Sequence, residues 1–331
     1  MMNPIKKNIF FAALALPVVL WSGVLKAELP RVVTDIAPIH SLVAMVMDGV
    51  GEPGLLIPQN ASAHEYAMRP SEAKALQEAN LVVYLGHDMT PWMEPLFETV
   101  AASADALDLS KVDGVLQLSY REGPVFGDHD DHEGHDDHEK EGHDEHEEEG
   151  HDDHEGHDHG GNDPHMWLDP ANALVWLDAI ASELGHLDPQ NAAFYSANAK
   201  SAKEEITHEA HHIEDQLKSV QGRGFLVFHD AYQYFENRFG ISATGSISLT
   251  DASKPSAKRL QELKHHFEEE GIRCILSEPQ YSSKLINSVF GGYKPHIGEV
   301  DPIGVDLRLG PGLYPKLLAN LALGIAECVN H

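Results

Sequence analysis

The sequence predicts an α/β protein of two lobes, each built on a parallel sheet and joined to the other by one long helix. Three observations carry that expectation. Short apolar runs alternate with helical stretches from Val32 onward, the pattern of βα units. The alternation pauses at an acidic, His-rich run and then resumes. Between the two series lies a stretch from Pro189 to Val220 with no internal Gly or Pro, too long to be anything but a helix.

In chain order, RVVTDIAPI reads as a strand leading into a helix that runs through Val50. LVVYLG, from Leu81 to Gly86, is a second buried strand, with a helix starting near Pro91. After the acidic run a helix is expected from about Pro170 to Leu184. The long helix follows, with Pro189 suited to its first turn. At about 100° per residue, Ala199, Ala202, Ile206, Ala210, Ile213 and Leu217 lie within about 40° of one line. A helix of some 30 residues spans about 45 Å, enough to brace two lobes. Beyond it FLVFH is a strand, Ala231 to Phe239 a helix, and Ile241 to Ile247 a strand. Lys254 to Glu270 is helical, CILSEP a strand, Ser282 to Phe290 helical, HIGEV the last strand, and Tyr314 to Val329 the closing helix.

The boundaries that follow are a leader at 1–27, a first lobe at 28–188, a linker helix at 189–220 and a second lobe at 221–331. The leader reads as an export signal. Lys6 and Lys7 precede an apolar stretch from Ile9 to Leu20, and Leu25-Lys26-Ala27 offers a cleavage site before Glu28. Pro17 interrupts the apolar stretch, which is short for a membrane span. An exported chain whose only cysteines are Cys274 and Cys328 suggests one disulfide, the alternative being two buried thiols.

The net charge of −30 repels nucleic acid and anionic lipid and attracts cations. Much of it sits between Asp128 and His159, inside a loop expected over 123–162, where 32 positions hold 10 His, 17 Asp or Glu, 4 Gly and one Lys. No residue there can build a core, so disorder is expected. Its chemistry is metal capture, because neutral imidazoles suit zinc, copper, nickel and iron. His129, His132, His135, His138, His143, His146, His151, His154, His157 and His159 form many weak, interchangeable sites.

A tighter site is expected elsewhere. His64 sits in a loop before a helix, His165 follows the acidic run, and His229 ends the apolar strand FLVFH. Asp301 directly follows the last strand. Folds of this class bind ligands beyond the carboxyl ends of their strands. Three imidazoles and one carboxylate make a closed four-coordinate zinc site, which suits carriage rather than catalysis. His208-Glu209-Ala210-His211-His212 matches the zinc-protease pattern H-E-x-x-H, but on the long helix it faces away from the apolar stripe, so it is read as a surface feature. His40, His87, Trp92, Trp167 and Trp176 are read as loop, core or wall residues. Arg69 is expected to pair with a carboxylate and hold the His64 loop, Asp230 to orient His229 or cap the next helix, and Glu278 to line the cleft or support a ligand.

Five segments give the chain a resemblance: H-E-Y-x-x-R-P-S from His64, P-H-M-W-L-D-P from Pro164, V-F-H-D-A-Y-x-Y-F from Val227, S-E-P-Q from Ser277 and D-P-I-G from Asp301. From Leu29 to Val329 it resembles the metal-specific solute-binding proteins of bacterial ABC importers, and among them the zinc-uptake ZnuA type. The resemblance implies two α/β lobes bridged by a rigid helix, with metal in the cleft between them. It implies ligands at His64, His165, His229 and Asp301, the His at the third position arguing for zinc over manganese. It also implies a Cys274–Cys328 disulfide. Where some zinc-type members carry an acid before the first His, this chain has Ala63, leaving Asp301 or water as the fourth ligand. The function implied is periplasmic zinc capture by a monomer, with Zn2+ as cargo delivered to an inner-membrane permease. The alternatives are a manganese or iron carrier of the same fold, a zinc buffer without a permease, or a metalloprotease.

Overall fold

The computed structural model describes residues 28–64, 66–121, 123–126, 161–248, 255–282 and 284–331. The leader and the His-rich stretch therefore lie outside the described residues, and so do the sequence expectations that rest on them. No helix among the described residues is long and apolar enough to cross a membrane.

The first lobe holds β1 (Val32–Thr34), α1 (Ala37–Val46), β2 (Gly54–Leu55), α2 (Pro70–Gln77), β3 (Leu81–Tyr84), α3 (Glu94–Thr99), β4 (Asp105–Asp108) and α4 (Pro170–Leu187). Its four strands pair in parallel in the order β2-β1-β3-β4. The long helix α5 (Ala192–Leu217) follows. The second lobe holds β5 (Leu226–His229), α6 (Gln233–Phe239), β6 (Gly245–Ser248), α7 (Ala257–Glu269), β7 (Cys274–Ser277), α8 (Lys284–Phe290), β8 (His296–Glu299) and α9 (Leu313–Asn330). Its sheet repeats the same parallel order, β6-β5-β7-β8. In each sheet the first strand of the lobe is interior, so the connections diverge on either side of it, and that divergence leaves a crevice at the carboxyl ends of the two inner strands.

The inner strands are legible because both faces are covered: all of β3 and all of β5 are buried. The edge strands β2 and β4 are absent from the sequence expectation. β2 has only two residues, and β4 reads DALD with its first two residues exposed, so neither presents an apolar run. β6 starts at Gly245, later than the expected Ile241. α5 starts three residues after Pro189, because the Asp188 carboxylate accepts from the Asn191 amide at 2.6 Å and the Tyr195 hydroxyl at 3.0 Å, closing a turn before the helix begins.

The apolar stripe of α5 is buried at Ala199, Ala202, Ile206, Ile213 and Leu217, while Ala210 is half-buried against the same core. The helix spans about 39 Å and packs on α1 and α4 of the first lobe and on α6 and α9 of the second. One apolar core runs through both lobes, from Val32 to Val329. A smaller cluster around Phe267 and Phe290 fills the outer face of the second sheet. A wide hinge opening would split the larger core, so any lobe movement is confined to small tilts or loop shifts.

α9 lies on β7 and β8 at close range. A Cβ at Gly298 would stand 2.8 Å from the Cys328 Cβ, and one at Gly324 would stand 2.8 Å from the Glu299 carbonyl oxygen. The disulfide expected from the resemblance joins Cys274, at the start of β7, to Cys328 near the end of α9. Its loop has a sequence separation of 54, and a cross-link of that length stabilises by roughly 4 kcal/mol in the chain-entropy account. Replacing both cysteines by Ser should lower the denaturation midpoint in oxidising buffer and leave the wild-type midpoint unmatched until it is reduced. Equal midpoints would show that the bond constrains little.

Candidate metal centre

A cavity of about 140 Å³ opens where the carboxyl ends of the two sheets face each other. That volume has room for an ion and a few waters, and it is smaller than the few hundred cubic ångströms of an organic-ligand pocket. Ile36, Ile57, Met89, Trp167 and Ile303 give it apolar walls, and His64, His165, His229 and Glu278 give it polar ones.

His229 is the last residue of β5 and is buried. Glu278 directly follows β7, the parallel neighbour of β5, so the crevice of the second sheet brings the two together. The His229 Nδ1 and the Glu278 Oε1 stand 2.6 Å apart. The carboxylate assigns the proton to Nδ1, which makes Nε2 the nitrogen with a lone pair for a metal. Beside them the Tyr232 hydroxyl is held neutral, its pKa raised well above the ordinary value by burial and by the charges of Glu278 and Asp301.

His165 precedes a turn of 3-10 helix at Met166–Leu168, and it too is buried. Its Nδ1 lies 2.7 Å from Asp163 Oδ1, which also accepts from the His165 backbone amide at 2.9 Å. The same tautomer follows, with Nε2 as the metal-binding nitrogen. Burial pushes the Asp163 carboxyl up to about 7, against the lowering effects of the His165 amide and the Arg121 charge. A divalent cation beside it would favour the ionised form.

His64 lies in a half-buried loop of the first lobe. Trp92 donates from Nε1 to the Ala63 carbonyl at 2.9 Å and fixes the residue just before it. Arg69 does pair with a carboxylate, Glu72, at 4.0 Å with its guanidinium largely exposed; the shorter contacts on Glu72 come from the Tyr66 hydroxyl at 2.8 Å and the Arg69 amide at 2.7 Å. The loop is held by Tyr66 and Glu72.

The three imidazoles form a chain of neighbours. Ring centres are 5.3 Å apart for His165 and His229, and 6.0 Å apart for His64 and His165. Two imidazoles on one tetrahedral zinc, with bonds of about 2.0–2.1 Å, put their ring centres roughly 5 Å apart. The first pair is therefore near that spacing, and the second needs a shift of less than about 1 Å. Among the described residues no three His, Cys, Asp or Glu side chains already stand converged at ligand distance.

Asp301 is not drawn into this group. Its Oδ1 accepts from the amides of Ile303 at 3.1 Å and Gly304 at 2.8 Å, and its Oδ2 accepts from Val305 at 2.5 Å. It organises the turn that carries Pro302 and Ile303 into the cavity wall. A carboxylate has about four acceptor positions, so this capping does not exhaust it. The turn is also tied across the lobes, Trp167 Nε1 donating to the Pro302 carbonyl at 2.8 Å and the Gln59 amide donating to Gly304 and Leu307 carbonyls.

Two groups escaped the sequence reading. Asp163 had a signal, an acid two residues before a candidate ligand. Arg121 had none. Its guanidinium reaches Asp230 through Nε at 3.0 Å and Glu236 through Nη1 at 2.7 Å, with Phe126 stacked 3.8 Å away. Asp230 thus neither orients His229 nor caps α6; it is one carboxylate of this buried cluster. Burial raises Glu236, opposed by the charge and hydrogen bonds of Arg121. His40 is buried in α1 with Nε2 near the Pro53 carbonyl, and the exposed His87 pairs with Glu94, both outside the cavity.

The residues flanking the His-rich stretch also meet here. Ser119 pairs with Asn162 in an antiparallel bridge, and the Asp163 amide donates to the Leu118 carbonyl at 2.8 Å. Beyond Ser119 the chain crosses to the second sheet, where Val125 bridges to Gly245 and the Phe126 amide donates to the Thr244 carbonyl at 2.8 Å; after the His-rich stretch it resumes close to His165.

Replacing Arg121 by Ala leaves two buried carboxylates without their cation, which should cost about 3–5 kcal/mol at neutral pH. Burial raises the Glu236 carboxyl and Arg121 opposes that rise, so without the Arg the penalty is present above the unfolded carboxylate range, about 4, and disappears as pH falls to it. Urea unfolding at neutral pH and near pH 4 checks both the deficit and its narrowing.

Comparisons with known proteins agree with this geometry. A family model described as ZnuA, zinc-uptake complex component A periplasmic, matches residues 32–328. A protein of Paracoccus denitrificans named high-affinity zinc uptake system protein ZnuA is 42% identical over 307 residues, covering 92% of this chain and 93% of the relative. A protein of the same name from Brucella suis biovar 1 is 39% identical over 312 residues, with coverage of 92% and 93%. A solved structure titled as the crystal structure of ZnuA superposes with a TM-score of 0.72 at 22% identity, covering 91% of this chain and 100% of that one, which speaks for the fold.

Proposed function

The chain belongs to the ZnuA family of periplasmic zinc-uptake components, and from that premise we propose that it captures zinc in the periplasm and hands it to an ABC permease. The observation that supports this best is the small cavity lined by His64, His165 and His229, sized for an ion and a few waters rather than an organic ligand. Each of two imidazoles has a buried carboxylate on Nδ1. Carboxylate–imidazole–zinc arrays of this kind fix the ring and raise its basicity.

The proposed ligands are the Nε2 atoms of His165 and His229, the imidazole of His64, and Asp301 as the fourth. Glu278 and Asp163 act through the imidazoles they hold. Four protein ligands leave no open position for a substrate, which suits a carrier. The first lobe supplies His64 and His165 and the second supplies His229 and Asp301, so the ion bridges the lobes. With the core shared between them, the loaded and empty forms differ by small movements of loops, and the permease reads that difference.

The His-rich stretch from Asp128 to His159 has the role of a local reservoir. The described chain resumes at Gly161, four residues before His165, so the stretch is tethered close to the cavity, which raises the effective concentration of its imidazoles there. A chain lacking 128–159 should keep one tight zinc per molecule and lose the weaker ones; loss of the tight ion would refute the auxiliary role.

Changing His165 or His229 to Ala should lower zinc affinity on the order of 100-fold or more, and Glu278→Gln by roughly 10–100-fold, in competition titrations. A Glu278→Gln protein that binds as the wild type does would remove that residue from the site. Ligand imidazoles must be neutral to bind, so affinity is full above their ordinary range and falls as pH drops through about 6.5. In cells, loss of the gene should impair growth in low zinc, with rescue by excess zinc; a strain that grows normally would favour a buffering role instead.

A further inference from the structure

The H-E-x-x-H pattern on α5 is used by nothing described so far. His208 and His212 are one helical turn apart on the exposed side of the helix. Their rings meet edge to face with centres 4.4 Å apart, and their Nε2 atoms share a hydrogen bond at 3.3 Å that an incoming cation would replace. That separation has a chemical reading. Two nitrogens at 2.0–2.1 Å from one tetrahedral zinc stand about 3.3–3.4 Å apart, whereas adjacent nitrogens around a square-planar ion stand only about 2.8–3.0 Å apart. The Nε2 spacing matches the tetrahedral bite, while the ring centres must part by less than about 1 Å to reach the roughly 5 Å that two zinc-bound imidazoles show.

We propose that His208 and His212 form a second zinc site on the outer face of α5, independent of the inter-lobe cavity. Neither His208 nor His212 lines that cavity. The helix fixes both Cα positions, so binding orders only two short side chains. Exposed Glu204 and Glu205, one turn before His208 on the same face, give it a negative field that attracts cations. Two imidazoles supply two ligands and water completes the shell, which makes the site weaker than the cavity and readily exchanging. It is not a protease centre. The pair lies on an open surface, and among the described residues no third metal-ligating side chain joins it.

The test is residue-resolved footprinting of the full chain. The protein is titrated with zinc, treated briefly with diethyl pyrocarbonate, which acylates accessible imidazole nitrogens, and read by peptide mass spectrometry. His208 and His212 should lose reactivity together, by roughly tenfold at zinc tenfold above the site's dissociation constant, while the exposed His186 keeps its rate. In His212→Ala, whose exposed position leaves the helix intact by circular dichroism, His208 should remain reactive in zinc. Unchanged reactivity of His208 and His212 at saturating zinc would overturn the proposal, and so would protection of His208 that persists in His212→Ala. Protection of His165 and His229 in the same spectra reports on the cavity separately.

Discussion

Two buried carboxylates, Asp163 and Glu278, each hold one imidazole by its Nδ1, and the candidate metal centre depends on those two contacts. A buried charge is costly unless it is hydrogen-bonded, and each acid is satisfied by the ring it orients. The arrangement works in both directions. The acid determines which nitrogen carries the lone pair, and the imidazole compensates for the acid's loss of water. For Asp163 the compensation is incomplete, since burial still holds its carboxyl near 7. A cation arriving at the far side of the ring would supply what is missing.

The backbone that makes these contacts is assembled from both lobes. Parallel pairing of β5 with β7 sets His229 beside Glu278. On the other side, Asp169 caps α4 and binds Arg238 of α6 through two hydrogen bonds of 2.6 and 2.8 Å, so the segment carrying His165 is fastened to the second lobe. Tyr314 of α9 donates to the Trp167 carbonyl at 2.7 Å, and Trp167 in turn donates to Pro302. With Arg121 and the brace of α5, these bonds make the cavity a property of a nearly rigid frame. A rigid frame with a small cavity discriminates by size and ligand chemistry, which is what an ion carrier needs.

Much of this was legible in the sequence where burial enforces a pattern. The runs LVVY and LVFH are apolar because both faces of their strands are covered, and the α5 stripe is apolar because it packs on four other helices. His229 stood out because an imidazole ending such a run has no reason to be there for packing. β2 and β4 were illegible because an edge strand needs no apolar run on its outer side. Arg121 was illegible for a different reason: its partners lie 109 and 115 residues away, and an Arg before an acidic stretch looks like any solvated charge.

By itself, then, the sequence determined the class of fold, the number of lobes, the brace and the three imidazoles that line the cavity, since each is written in local periodicity or in a motif. Only the tertiary structure decided which carboxylates meet which rings. Glu278 faces His229, Asp230 goes to Arg121, and Asp301 caps its own turn, although all three acids follow or end near strand termini. The physical reason is that a carboxylate's partner depends on which strands lie side by side, and the order of strands in a parallel sheet is fixed by the packing of the whole lobe.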